Sequence, residues 1–323
     1  PTYFAFTAGL VASIAYNLAE LARRAIKRSP GFRRIPGWSP LWAAGLALFL
    51  VLLAGNFRGM AQGLDRLSEA SPWRTDVPLA GPLIEVTGGA WKLITGGNIP
   101  YDYWDPSRAI HLTPDQQDQT APITEFPMFT FMFADLHAHL MVMPVSLLSL
   151  AIGLAAVTAA REAKRWPRGR RVATEWAFVA LLGLLVGTAR WTNSWDYPTF
   201  GLMAAASLFI AQWHGDRGLS VPTLGMWLLK SAAVLGVSLV LFSPASRHFL
   251  APATGFHRAE QTTQLDDYLW HFGLFVLVAA AALGVWLFRS MGRTVSLGTL
   301  RAGSGVSLPL GALVIALPAV FVF

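Results

Sequence analysis

Long apolar runs alternate with short polar segments along the whole chain, at 1–19, 41–56, 139–160, 176–189, 198–213, 221–243, 270–288 and 305–323. Most approach the ~20 residues that a helix rising 1.5 Å per residue needs to cross a hydrocarbon core. The pattern therefore predicts an all-α integral membrane protein of about eight transmembrane helices, with residues 1–323 forming one polytopic domain. The runs at 176–189 and 198–213 are short, so they are expected to tilt less, to extend into 191–195, or to form a helical hairpin that dips into the bilayer. Between them lies a tight polar turn at 190–197. The largest segment outside the runs is the loop region 57–125, expected to fold as a small cap of short helices. Within it 58–70 reads as helical, and Pro72, Pro78, Pro82, Gly88, Gly89, Gly96, Gly97 and Pro100 are expected to cut the remainder into turns. A second loop spans 244–268.

Charge gives the pattern a direction. When the runs are threaded alternately through a bilayer, Arg23, Arg24, Lys27, Arg28, Arg33 and Arg34 fall on one side. Arg161, Lys164, Arg165, Arg168, Arg170, Arg171, Arg217, Arg289, Arg293 and Arg301 fall on that same side, while most acidic residues fall opposite. Positive loops stay cytoplasmic. The loops at 57–125 and 244–268 are thus extracytoplasmic, and the bilayer is expected to be the plasma (cytoplasmic) membrane. The net charge of +7, in a chain that is 54% hydrophobic and 13% charged, reflects this asymmetry and not a nucleic-acid surface. No cysteine is present, which removes disulfides, thiolate nucleophiles and Cys-ligated metals, so any metal would need His and carboxylate. Pro1 enters one apolar run and Phe323 stops inside another, the pattern expected of an internal fragment.

Three polar constellations fall on the side opposite the basic loops. The first is Tyr101-Asp102-Tyr103-Trp104-Asp105-Pro106-Ser107-Arg108. Aromatic faces suit the apolar faces of sugars, carboxylates accept from hydroxyls, and Arg binds phosphate bidentately, so Asp102, Trp104, Asp105 and Arg108 are candidate substrate-binding residues. A bland account is an interfacial aromatic belt with a local Asp/Arg pair. The second is Glu125-Phe126-Pro127 followed by Asp135-Leu136-His137-Ala138-His139, just before a long apolar run. Ionisable groups placed there need partners. Glu125, Asp135, His137 and His139 are candidate catalytic residues, and Asp135, His137 and His139 could hold a divalent metal or pass a proton. Asp135 capping the next helix is the plainer explanation. The third is Arg190-Trp191-Thr192-Asn193-Ser194-Trp195-Asp196-Tyr197-Pro198, where Arg190, Asn193, Trp195 and Asp196 are candidate substrate contacts and an aromatic anchor with an Arg190–Asp196 pair is the alternative. His257, Arg258, Glu260, Asp266 and Asp267 fall in the second loop, where a solvated surface is the default. Lys230, inside an apolar run, is expected either to bind a lipid phosphate or to snorkel to the interface. There is no Walker loop, dinucleotide fingerprint, HExxH, nucleophile elbow or haem motif.

Taken together the three constellations, in this order, resemble the YYY family of polytopic membrane proteins over about residues 1–200. That family is similar to the GT-C glycosyltransferases, which take sugars from polyprenyl-phosphate carriers on the extracytoplasmic side. The resemblance implies a GT-C-like fold with an extracytoplasmic cap. It also implies an upstream outer loop, carrying a tyrosine cluster and an acidic residue, that would lie before Pro1. The activity it implies is transfer of a polyprenyl-phosphate-linked sugar to an extracytoplasmic acceptor. Asp135 or the upstream carboxylate would serve as base, Arg108 or Arg190 would face the departing phosphate, and Trp104 and Trp195 would flank the sugar. Two other functions fit the same residues: a non-enzymatic subunit that docks other membrane subunits through its aromatic and charged loops, and a transporter lined by Lys230, Asp135 and Arg190. Membrane lipid is a partner in all three.

Overall fold

In lipid, backbone N–H and C=O groups must be satisfied within the segment, and every regular element among the described residues is helical. The computed structural model describes residues 1–27, 39–78, 80–102, 104–110, 123–134, 136–216, 218–247 and 263–291. The helices are α1 (Thr2–Lys27), α2 (Pro40–Leu48, continued by a π-helical turn at Phe49–Leu53), α3 (Phe57–Ala70), α4 (Gly81–Ile94) and α5 (Pro127–Phe133). They are followed by α6 (Ala138–Glu162), α7 (Arg168–Thr192), α8 (Asp196–Asp216), α9 (Val221–Leu241), α10 (Ser243–Ser246) and α11 (Leu265–Met291). Five helices among the described residues are long and apolar enough to cross a membrane, or six if the broken pair Pro40–Leu53 and Phe57–Ala70 counts as one crossing. The fold is therefore an all-α membrane protein. The short run at 176–189 belongs to a helix of 25 residues, lengthened mainly on its basic side to Arg168. The run at 198–213 is a 21-residue helix whose Asp196, Gln212, His214 and Asp216 lower its hydropathy, and it is not among the five. The run at 305–323 lies outside the described residues.

The chain divides into two units. In the first, α6, α7, α8 and α9 pack on one another and α1 packs on α6. Its core is Val179, Leu182 and Val186 of α7, Ala204 and Leu208 of α8, and Val234 of α9. Gly183 permits the close approach of α7 and α9, since a Cβ there would lie 3.0 Å from the Val234 carbonyl oxygen. Helix α9 is inverted relative to a helix of a soluble protein. Its buried residues, Thr223, Lys230, Val234 and Ser238, recur on one helical face, while Leu228, Leu229, Leu235, Leu239 and Val240 are exposed. Polar groups inside and leucines outside suit a lipid surround.

Lys230 is only 4% exposed and turns inward, neither snorkelling nor reaching for a lipid. Its Nζ donates to Glu175 Oε2 at 2.8 Å and to Gln212 Oε1 at 2.6 Å. Glu175 Oε1 accepts from Arg171 Nε at 2.8 Å, Arg171 lies 3.7 Å from Asp216, and Asp216 accepts from Gln212 Nε2 at 2.7 Å. The five side chains close a ring across α7, α8 and α9. The three helices are thus layered in the same order, with the ionic ring towards the basic end, the apolar core next, and Arg190, Asp196, Tyr197 and Ser238 beyond it. From Arg171 to Arg190 the helix rises ~28 Å, close to the ~30 Å of a hydrocarbon core.

The second unit holds the π-helical turn, α3, α4, α5 and nearly all of α11. Gly55, with φ of 65°, ends the turn, and the Phe126 ring packs where a Cβ would sit. Asn56 then caps α3, its Oδ1 accepting from Gly59 N at 2.8 Å. The helix expected at 58–70 is present as α3. Pro82, Gly88 and Gly89, however, do not mark turns: they lie inside α4. Pro82 occupies its first turn, where no amide hydrogen is needed, and Gly89 lets α4 lie against the Leu67 carbonyl of α3, which a Cβ would strike.

The ring makes an asymmetric prediction. Glu175→Gln leaves Lys230 buried without its anion and should cost about 3–5 kcal/mol. Lys230→Met leaves Glu175 paired with Arg171 and should cost less, about 2–3 kcal/mol. Adding Lys230→Met to Glu175→Gln should recover stability, as measured by unfolding of the micelle-embedded protein. Additive losses would show that the two residues are not coupled.

Candidate functional site

At the end of the first unit opposite its ionic ring, three helix termini bring polar side chains together. His137 is extended and precedes α6, and its ring stacks on His139, with centroids 5.3 Å apart and planes 20° apart. Helix α7 ends where Asn193 N donates to Ala189 O at 2.8 Å, and Asp196 N donates back to Asn193 O at 3.1 Å to start α8. An acid in the first turn of α8 suits the positive end of the helix dipole. Asn193 Nδ2 donates to Asp196 Oδ2 at 3.2 Å, and the carboxylate lies within electrostatic reach of His139. Asp196, ahead of the apolar run of α8, is half-buried, and burial raises its carboxyl above the usual range against the opposing pulls of Asn193 and His139.

Arg190 does not pair with Asp196. Its guanidinium lies 5.3 Å from the Tyr197 ring centroid and 5.8 Å from that of Trp191. The Tyr197 hydroxyl lies 3.3 Å from Ser238 Oγ on α9, a residue without a sequence signal, since serines are common in apolar runs. Trp195 is 85% exposed on the turn between α7 and α8. The second and third constellations therefore meet, through His139 and Asp196. Asp135 lies outside the described residues, as do His257, Arg258 and Glu260.

The first constellation belongs to the second unit and is held by partners of its own. Asp102 Oδ1 accepts from Trp104 N at 2.9 Å, a local turn that orients the indole. Asp105 accepts from Arg58 at 2.8 and 3.3 Å and from Gln62 at 3.3 Å, so its cation comes from α3 and not from Arg108. Arg108 donates to Ser107 and lies 4.3 Å over the Trp104 ring, whose edge meets Phe129 and Phe133 of α5. The Arg58 contact spans 47 residues, which is why spacing alone could not reveal it. Glu125 accepts from Thr130 Oγ1 at 3.1 Å. Tyr101 has its hydroxyl pushed up by burial and by Asp105 and Asp102. This constellation is a braced platform with an indole–guanidinium face, suited to binding more than to proton transfer.

A family model described as "Uncharacterized membrane protein (DUF2298)" matches residues 1–323. The chain belongs to this family. No curated protein and no solved structure matches it. Membership in DUF2298 agrees with the lipid-suited exterior of the helices, and the chemistry of this member has to be read from its own side chains.

In this DUF2298 protein the raised Asp196 carboxyl should make stability depend on pH. A carboxyl raised in the fold contributes stability below its unfolded pKa, and that contribution is lost as pH rises through the folded value. Asp196→Asn should therefore match the wild type in thermal stability near pH 3 and exceed it near pH 8. Parallel melting curves across that range would show that the carboxyl is not strained by burial.

Proposed function

We propose that this membrane protein is a GT-C-like transferase that moves a sugar from a polyprenyl-phosphate carrier to an acceptor at the polar end of its helical bundle. The observation that carries the reading is the half-buried Asp196 beside His139, with Arg190 and the exposed Trp195 on the same turn. His139, held in a carboxylate's field, takes the proton of the acceptor hydroxyl as that oxygen bonds to the sugar's anomeric carbon. The bond from that carbon to the phosphate oxygen breaks, and polyprenyl phosphate departs with the electron pair. Arg190 neutralises the departing charge, and the Trp195 indole offers an apolar face to the sugar ring. A divalent metal held through His137 and His139 belongs to the same proposal. The site faces the extracytoplasmic side of the plasma membrane in this reading.

The test is consumption of polyprenyl-phosphate-linked mannose, glucose and arabinose by the protein reconstituted in liposomes. His139→Ala and Asp196→Ala should each lower turnover by about 10²–10⁴-fold, the worth of a positioned acid–base group. Arg190→Lys should lower it less than Arg190→Ala. Loss of turnover on EDTA treatment, restored by a divalent cation, would support the metal. No consumption of any lipid-linked sugar by the wild type, together with co-purification of other membrane subunits at fixed stoichiometry, would favour the docking-subunit reading.

A further inference from the structure

The opposite, basic end of the first unit contains a feature that the transferase reading does not use. A cleft of about 460 Å³ opens between the turn joining α6 to α7, the first turns of α7, the end of α8 and the start of α9. Its polar wall is formed by Lys164, Arg168, Arg171, Glu175, Gln212 and Asp216. Three of these, Arg171, Glu175 and Gln212, also line a smaller cavity that reaches inward to Lys230, with room for about one water.

The charges in the wall do not balance. Glu175 is satisfied by Arg171 and Lys230, and Asp216 by Gln212 and Arg171. The two carboxylates are thus spent on the inner ring. Lys164 and Arg168, both exposed at the mouth, have no carboxylate among the described residues within ion-pair distance. The rim adds Trp166, clamped by Arg170 at 4.5 Å, together with Val172, Pro222 and Met226. Two uncompensated cations over a braced polar floor suit a phosphate, and an adjoining apolar and indole rim suits acyl chains and their glycerol backbone.

We infer that this cleft binds the phosphate of an anionic phospholipid headgroup, with Lys164 and Arg168 as its cationic contacts and the Trp166, Val172 and Met226 rim against its acyl chains. A free phosphate would satisfy the cations but leave the apolar rim without a partner. A zwitterionic headgroup would bring its own cation towards Lys164 and Arg168. Bound lipid would cover the outer side of the ionic ring and limit the water that reaches Glu175 and Asp216. The proposal is independent of the transferase reading, because it concerns the other end of the helices.

The test uses the purified chain in detergent, titrated separately with short-chain phosphatidylglycerol, short-chain phosphatidylcholine and inorganic phosphate. Bound lipid is read by native mass spectrometry and melting temperature. Phosphatidylglycerol should bind saturably and raise the melting temperature, and the other two probes should not. Lys164→Ala with Arg168→Ala should weaken phosphatidylglycerol binding roughly 20- to 30-fold, as expected for two cations near a membrane surface. Arg161→Ala with Arg165→Ala removes the same charge from exposed positions on the same side that neither line the cleft nor touch its rim, and should weaken it less than about threefold. Lys164→Glu serves as a second variant and should weaken binding further than Lys164→Ala. Equal losses in the two double variants would overturn the cleft in favour of diffuse surface charge. Binding of phosphatidylcholine with equal affinity would overturn the anionic headgroup, and saturation by inorganic phosphate alone would overturn the lipid.

Discussion

A single buried ammonium group constrains much of the first unit. Lys230 sits in an otherwise apolar helix, and a charge taken out of water is tolerated only when paired and hydrogen-bonded. Glu175 and Gln212 meet that demand from two other helices, and Arg171 and Asp216 close the ring. Directional contacts of this kind fix rotation and register where apolar packing does neither, because lipid solvates a leucine as well as another helix does. Once α7, α8 and α9 are in register at the ring, Val179, Leu182, Val186, Ala204, Leu208 and Val234 pack above it. The same register places Arg190 and Tyr197 beside each other and Tyr197 within reach of Ser238.

This layering explains how one bundle can present different chemistry at its two ends. The ring and its surrounding arginines draw positive charge to one end, and the apolar middle separates it from the polar turn of Asn193 to Tyr197. That turn holds a carboxyl that burial disfavours in its charged form. Asp196 is half-buried with only Asn193 as a hydrogen-bonding side-chain partner among the described residues, and Trp195 is left exposed. By contrast, Asp105 is tied to Arg58 and Gln62, and it stabilises the joint between α3 and the turn at Asp105–Arg108.

Hydropathy alone made the helical membrane architecture legible, because a bilayer admits few alternatives. It failed where polar residues sit inside the bundle. Glu175 lies beyond the apolar run at 176–189, so the run looked short although the helix continues to Arg168. Glycine and proline misled in α4, where Gly89 serves close packing and Pro82 serves the first turn. Motif spacing located the second and third constellations but could not pair them, since His139 and Asp196 are far apart in sequence and meet only through the packing of α6 on α8. Ser238 and Arg58 carried no signal at all, for their partners are likewise distant in sequence.

We propose that the polar turn and the basic end of the same helices lie on opposite sides of the membrane. The chain contains no cysteine, so single cysteines can report on it without a background. Ser194→Cys on the turn and Gly169→Cys beside the basic cleft, each expressed in intact cells, should differ in labelling by a membrane-impermeant maleimide. Ser194→Cys should react from outside, and Gly169→Cys only after the membrane is permeabilised. Labelling of both positions from the same side would contradict the account.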